Sequence, residues 1–397
     1  MFLEERRRHI LKYLNDHERG FVNYFAAYFG VSKETIRSDL NTLSEMGVVQ
    51  RCYGGAIISR RNLQAELISE TGDSFGVLLQ PINHRKPTVS GQQKGKSMNG
   101  KVCVFGSFNV DIVARVERFP RGGESLLALA SSLGPGGKGA NQAYAAAYLG
   151  ADVTMLGAVG NDAAGRMSLE SLQHAGVHTE YIRTVEGVST GTALIAVNAE
   201  GDNSIIVIPG ANDKVDRDYV DSVMDIILAS DIVILQLEIP FDTVCYVAEK
   251  AKEAGKCVIL DPAPARELPE ELIRGLTIVK PNQTEIMKVL GRADEACQPE
   301  RELNTLKAMG VAHPIITLGS KGCCTLDAAG KLENVPAVKA SAVDTTGAGD
   351  CFTGAMACSL AEGNPLEKAL GFAAKASAIA VTREGAQPSF PARKEIL

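Results

Sequence analysis

Asp344-Thr345-Thr346-Gly347-Ala348-Gly349-Asp350 sets small residues between two carboxylates, directly ahead of the stretch CFTGAMACSLAEG. If that stretch is a helix, the amides of Gly347, Ala348 and Gly349 gather at its positive end, where they suit an anion such as phosphate. Asp350 stands beside them, placed to accept a proton from a hydroxyl. The competing reading is an aspartate capping a glycine turn. A second cluster, Gly136-Gly137-Lys138-Gly139-Ala140-Asn141-Gln142, precedes AYAAAYLG. Its glycines allow close approach to the backbone, while Lys138 and Asn141 offer a cation and an amide to hydroxyl groups. A plain helix-start turn is the alternative. The spacing is not that of a Walker A loop, so a P-loop nucleoside triphosphatase is not supported.

Three further polar clusters follow strand-like runs: Phe108-Asn109-Val110-Asp111 after KVCVFGS, Glu238 within LQLEIP, and KPNQTE, with Asn282 and Glu285, after LTIVK. Open α/β sheets bind ligands beyond the carboxyl ends of their strands. Each cluster alone reads equally as a turn. Five of them at strand ends and helix starts point to one common site.

The elements that must position these residues form a regular alternation. KVCVFGS, VTMLGAVG, DIVILQLEI, KCVILDP, LTIVKPN and HPIITLGS are strand-like and are separated by helix-like stretches, which predicts a parallel α/β sheet with helices on both faces. Ahead of it, residues 2–15 place Leu3, Ile10, Leu11 and Leu14 on one helical face. A second helical stretch runs from Val22 to Phe29 and stops at Gly30; Ser32 caps a third, KETIRSDLNTLSEMG, and VVQRCYGGAII predicts a short wing. This is a helix-turn-helix pattern. The expected domains are 1–60, a linker over 61–97 in which AELISETGDSFGVLLQ could form a helix, and 98–397.

Charge is divided accordingly. Residues 1–60 carry a formal +2, residues 61–97 another +2, and the remainder −10, within a total of −6. A mildly basic head on an acidic body fits a small polyanion-binding unit on an enzyme. No apolar run approaches the ~20 residues that cross a bilayer. MFLEERRRHI lacks the apolar core of a signal peptide, so a cytoplasmic protein is expected. Nine scattered cysteines without CxxC spacing argue against zinc and disulfides.

From about Lys101 onward the chain resembles the ribokinase/PfkB carbohydrate kinases. GSFNVDIV, GPGGKGANQA, QLEIP, KPNQTE, TLGSKG, DTTGAGDCFTGA and AVTREGAQPS stand in that family's order over roughly 300 residues. The resemblance implies an α/β fold, a parallel sheet sandwiched by helices, with a small β lid over segments near 111–134 and 188–209 and Gly122-Gly123 as flexible points. It implies ATP-dependent phosphorylation of the primary hydroxyl of ribose or a close pentose, with deoxyribose or a nucleoside as alternatives. Asn109, Asp111, Gly137, Lys138, Asn141 and Glu238 match positions that hold the sugar. Asp350 matches the catalytic base, and Gly347, Ala348 and Gly349 the anion hole. Asn282 and Glu285 match the motif that organises Mg²⁺ through water. Thr317, Gly319, Gly322, Gly349 and Ala374 match nucleotide contacts. Asp344, Thr346, Ala380, Arg383, Gly385 and Ser389 match a K⁺ site built mostly of carbonyls. A homodimer is implied as well.

Residues 3–58 resemble the DeoR-type winged helix-turn-helix domain. The carriers are Arg8-His9-Ile10-Leu11, FGVSKETIRSDLNTLSEMGVV and Arg51-Cys52-Tyr53-Gly54-Gly55-Ala56. Double-stranded DNA would then meet Ser32, Lys33, Thr35, Arg37 and Ser38, with Arg51 near phosphates. Two positions depart from the family pattern: Ser38 stands where a second Arg is usual, and Tyr53 where a His is. The sugar-phosphate sensing domain of that family is replaced here by the kinase-like region. A regulator whose kinase-like region only senses sugar or nucleotide is the alternative to an active enzyme.

Overall fold

A computed structural model describes residues 6, 7, 9–11, 13, 14, 19–29, 31–45, 48–52, 55–58 and 100–396. The chain divides into two compact units, Met1–Gln93 and Lys94–Leu397. The expected linker, its possible helix, and Leu3 lie outside the described residues.

In the first unit the helices Val22–Phe29 and Lys33–Glu45 follow helical residues between 6 and 14. Ile10, Leu14, Phe25, Ile36, Leu40, Leu43 and Val49 pack into its core. The wing pairs Val49–Cys52 with Gly55–Ile58 antiparallel, and a third strand, Arg19–Phe21, pairs with the other edge of Gly55–Ile58. That third strand was not expected. It has three residues with a central glycine, too short for any periodic signal.

The second unit is built on an eight-stranded sheet. Its spatial order is Leu332–Val335, Cys323–Leu326, His313–Thr317, Ile278–Val279, Cys257–Leu260, Ile232–Leu235, Lys101–Phe105 and Asp152–Leu156. The six strands expected from sequence are mutually parallel. Cys323–Leu326 and Leu332–Val335 add an antiparallel edge, so the sheet is mixed. Side chains alternate between two cores. Val102, Val104, Ile232, Ile234 and Ile259 face one; Cys103, Phe105, Val233, Leu235 and Leu260 face the other. That two-residue period, apolar on both faces, is what a sheet covered by helices on each side requires.

A separate four-stranded sheet has the order Asn203–Ile208, Gly191–Val197, Asn109–Arg115, Ala130–Gly136. It occupies the segments expected for a lid. Its register aligns Ile206, Leu194, Ile112 and Leu133 in one row across the strands, all four exposed. Among the described residues no helix is long and apolar enough to cross a membrane.

Candidate active site and candidate DNA-binding surface

The carboxyl ends of the parallel strands converge. Ser107 and Asn109 follow Phe105, Gln236 and Glu238 follow Leu235, Asp261 follows Leu260, Lys280 and Asn282 follow Val279, and Thr317 ends its own strand. The helices Lys138–Tyr148 and Ala348–Ala361 pack together at that edge, each buried over most of its length. Small side chains, chiefly alanine and glycine, let them approach closely enough for their first turns to touch.

Those first turns hold the site. The Asn141 amide donates to Asp350 Oδ2 at 3.0 Å, and the Gln142 amide donates to Asp350 Oδ1 at 3.0 Å. Asp350 is 6% exposed, so both of its oxygens are held by neutral donors in a dry setting. It is the third helical residue, and the N-cap is Gly347, so the capping reading of Asp350 does not hold. Burial pushes its carboxyl up; the Asp261 charge adds to this, while Lys138 and the two amides oppose it. A carboxylate so placed can accept a proton.

Gly347 has φ 72°, a left-handed conformation that turns the chain into the helix. The Ala348 amide donates to Thr345 O at 3.2 Å. The Gly347, Gly349 and Asp350 amides have no protein acceptor among the described residues, which leaves donors open for an anion at the helix start.

Lys138 begins the other helix, after Gly137 at φ 90°. A Cβ on Gly137 would come within 2.6 Å of Asn109 N, so the glycine lets this turn lie against the Phe108–Asn109 backbone. The Lys138 amide and the Ser107 hydroxyl both donate to Glu238 Oε2, at 3.0 and 2.6 Å. Burial works against the Lys138 charge, but Asp350, Asp261, Glu238 and Glu285 outweigh it and push its pKa up. Asp111 is pushed up to about 7 by burial, then by the Glu238 and Asp350 charges, with Lys138 opposing. Asn109 is buried, its Oδ1 receiving an N–H from Asn212 at 3.0 Å. The six expected sugar-holding residues and Asp350 therefore fall in one cleft-edge cluster.

Asn282 and Glu285 form a capping box on the helix Gln283–Val289: Asn282 Oδ1 accepts from the amides of Thr284 and Glu285, and Glu285 Oε2 accepts from the Asn282 amide. Glu285 Oε1 keeps no protein donor among the described residues. A lone free carboxylate oxygen suits a cation held by phosphates and water better than a dedicated protein cage. Thr317 is tied to this motif, its amide donating to Pro281 O at 3.0 Å. Gly319 and Gly322 bound the next turn, at φ 57° and 95°. Ala374 is 8% exposed within the packing of the helix Leu366–Ala380.

The expected K⁺ residues come together in two loops. Gly385 N donates to Asp344 Oδ2 at 2.9 Å, and Thr346 donates to Asp344 Oδ1 through its amide and its hydroxyl, at 2.9 and 2.7 Å. Arg383 N donates to Ala380 O, the Ser389 hydroxyl donates to Ala386 O, and the Arg383 side chain pairs with Glu395. The side chains are thus engaged locally, which leaves carbonyl oxygens for a cation.

Sequence reasoning assigned no role to Gln142, Asn212, Gln236, Asp261, Lys280 or Gln387. Gln387 donates to Asn141 Oδ1 at 3.1 Å, and the two Asn212 amide atoms clamp Phe108 through its backbone N and O, both at 2.9 Å. The available signal was position alone: Asp261 and Lys280 stand first after their strands, a few positions ahead of where assigned residues such as Asn109, Glu238 and Asn282 fall after theirs.

Residues 99–393 match the model of the pfkB family carbohydrate kinases. The chain belongs to that family. This pfkB-family chain is 40% identical over 295 residues to the ribokinase of Bacillus subtilis, covering 74% of this chain and 97% of the relative. It is 36% identical over 292 residues to a deoxyribokinase of Salmonella typhimurium, covering 73% and 95%. The solved structure of Arabidopsis thaliana ribokinase complexed with ribose and ATP superposes with a TM-score of 0.70 at 37% identity, over 75% of this chain and 98% of that one. The second unit is accordingly an ATP-dependent sugar kinase of the ribokinase and deoxyribokinase type.

Residues 6–62 match the DeoR-like helix-turn-helix domain. In that unit Ser32 Oγ caps the helix Lys33–Glu45, accepting from Thr35 N at 3.1 Å. The helix buries Ile36, Leu40 and Leu43 and leaves Ser32, Lys33, Arg37 and Ser38 exposed and Thr35 half-buried. Arg37 pairs with Glu34 at 2.5 Å. Arg6 and Arg7 both grip the buried Asp39, at 2.6 and 2.9 Å, so part of the basic front serves the fold. Arg51 lies in the wing strand Val49–Cys52.

Proposed function

We propose that this chain transfers the γ-phosphoryl group of ATP to the primary 5-hydroxyl of ribose or a close pentose, with Asp350 as base. The observation that carries the reading is the buried Asp350 carboxylate beside open amides at a helix start. Asn109, Asp111, Gly137, Lys138, Asn141 and Glu238 hold the sugar. As the hydroxyl oxygen attacks the γ-phosphorus, its proton passes to Asp350 Oδ, the new P–O bond forms, and the bond to the β-phosphate oxygen breaks to release ADP. The Gly347 and Gly349 amides, with the Ala348 amide free to leave Thr345, stabilise charge on the transferring oxygens. Lys138 adds a positive charge over the same phosphates. Asn282 and Glu285 would hold Mg²⁺ through water, and the ion would supply positive charge against the phosphates. Thr317, Gly319 and Gly322 contact the nucleotide, with Ala374 behind them. K⁺ bound by the Asp344–Thr346 and Ala380–Ser389 loops would order the anion hole, which follows Asp344-Thr345-Thr346 directly in the chain.

Assay of a sugar panel (ribose, deoxyribose, nucleosides) with ATP, Mg²⁺ and K⁺ tests the substrate. Ribose should show the highest kcat/KM; a preference for deoxyribose above tenfold would reassign it. Asp350→Asn should lower kcat by about 10²–10⁴-fold, and turnover within tenfold of the parent would reject the base.

The first unit, in this reading, binds double-stranded DNA through Ser32, Lys33, Thr35, Arg37, Ser38 and Arg51 and ties sugar status to gene control. The exposed basic and hydroxyl face of the helix Lys33–Glu45 supports it. Lys33→Ala should weaken binding to upstream DNA across sequences and reduce the salt slope by about one; an unchanged slope would remove Lys33 from the interface.

A further inference from the structure

Two buried charged side chains next to the base have no part in the roles above. Asp261 and Lys280 are each 3% exposed. They follow Leu260 and Val279, which are register partners in adjacent parallel strands, so the fold delivers them side by side. Lys280 Nζ lies 3.2 Å from Asp261 Oδ2 and 3.5 Å from the carbonyl oxygen of Gly349. The Gln142 amide nitrogen donates to Asp261 Oδ2 at 2.8 Å and to Asp350 Oδ1 at 3.0 Å, so one NH₂ group bridges two carboxylates. Its carbonyl end accepts from Gln236 Nε2 at 2.7 Å, which fixes the amide's orientation. The Thr353 hydroxyl, 3.0 Å from Gly349 O, closes the cluster at 3.4 Å from Asp261.

We propose that Lys280, Asp261 and Gln142 form a positioning relay for Asp350, in which the buried ion pair fixes the Gln142 amide and offsets part of the Asp261 charge beside the base. This rests on Asp350 being the base. A buried carboxylate stripped of its cation is costly, and two carboxylates sharing one amide resist joint ionisation. Without Lys280, the uncompensated Asp261 charge therefore falls on Asp350. Without Asp261, an unmatched Lys280 cation favours the ionised base. The remaining groups acting on Asp350 are Lys138 and the Asn141 amide from the facing helix, with Asp111 as a like charge nearby, while Glu238 acts on Asp111 and Lys138 and Glu285 acts on Lys138. Cys351, next in the helix, is a buried thiol held neutral. None of these is altered by the variants below.

The test is the pH dependence of kcat for Lys280→Met, Asp261→Asn and the double variant, in the full-length chain. Lys280→Met should move the acid limb upward by about one pH unit and Asp261→Asn should move it downward. The double variant should return the limb to the parent position and kcat to within about threefold, while the KM for sugar stays within about threefold throughout. Opposite shifts that cancel are a signature loosened packing does not produce. If Lys280→Met does not fold, the downward shift in Asp261→Asn and its reversal in the double variant decide the matter. Shifts in the same direction, no shift, or a double variant worse than either single one would overturn the relay. Asp350→Asn separates the layers: retained turnover removes base and relay together, whereas an inactive Asp350→Asn with unshifted relay variants removes the relay alone.

Discussion

Asp111 is a carboxylate at the proposed sugar site whose pKa burial and like charge have carried to about 7. Below its ordinary value of 3.8 neither the folded nor the unfolded chain ionises it, and it has no effect on stability. Between there and about 7 the unfolded chain has released a proton that the folded one retains, so rising pH takes stability from the ligand-free protein. Asp111→Asn should flatten the fall in Tm between pH 5 and 8, read by thermal unfolding; an identical slope would show that Asp111 ionises normally. A sugar hydroxyl that donates to the ionised form tightens binding over the same window, so sugar affinity of the parent should rise from pH 6 to 8. The residues legible in the sequence, Asp111 among them, sit within a few positions of a glycine or a strand end. Gln142, Asp261 and Gln387 were not legible in role because their partners are far along the chain: Gln142 meets Asp350 across 208 positions and Gln387 meets Asn141 across 246. A local pattern contains no trace of such a pairing.

At the scale of elements, the turn ahead of Ala348–Ala361 depends on a conformation that side chains disfavour. Gly347 has φ 72°, and a Cβ there would lie 2.9 Å from the Ala386 Cβ. Gly347→Ala should destabilise the second unit by about 1–3 kcal/mol and lower kcat more than it raises the KM for ATP, since the strained turn carries the open amides. Denaturant unfolding with steady-state kinetics checks both; an unchanged midpoint would mean that the turn relaxes freely. The parallel strands were readable because each is a continuous apolar run, the mark of a strand buried on both faces. The antiparallel edge was not. Cys323–Leu326 comes one short 3₁₀ turn after His313–Thr317 and has only four residues, so the pair reads as one segment with an interruption.

The whole molecule leaves an apolar surface in the open. Ile112, Leu133, Leu194 and Ile206 share one row on the lid sheet, with exposures of 40, 58, 38 and 63%. Contiguous apolar surface on a sheet face is a liability unless covered, and the implied homodimer would cover it with the same face of a second copy. The paired changes Leu133→Lys and Leu194→Lys should turn a dimer into a monomer in sedimentation, with little change in Tm; a persistent dimer would move the interface elsewhere. A different consequence follows from the way the lid is attached. Its strand Asn109–Arg115 starts at Asn109, one of the residues proposed to hold the sugar, and Ala130–Gly136 ends two positions before Lys138, another. A sugar held by these residues would therefore sit at the fulcrum, where the two paired strands join the site, and not between their far ends. If the sheet swings on that base, its far end would move much farther than the grip itself, so alterations near residues 117–129 should change how fast the sugar comes and goes and leave its orientation for attack intact.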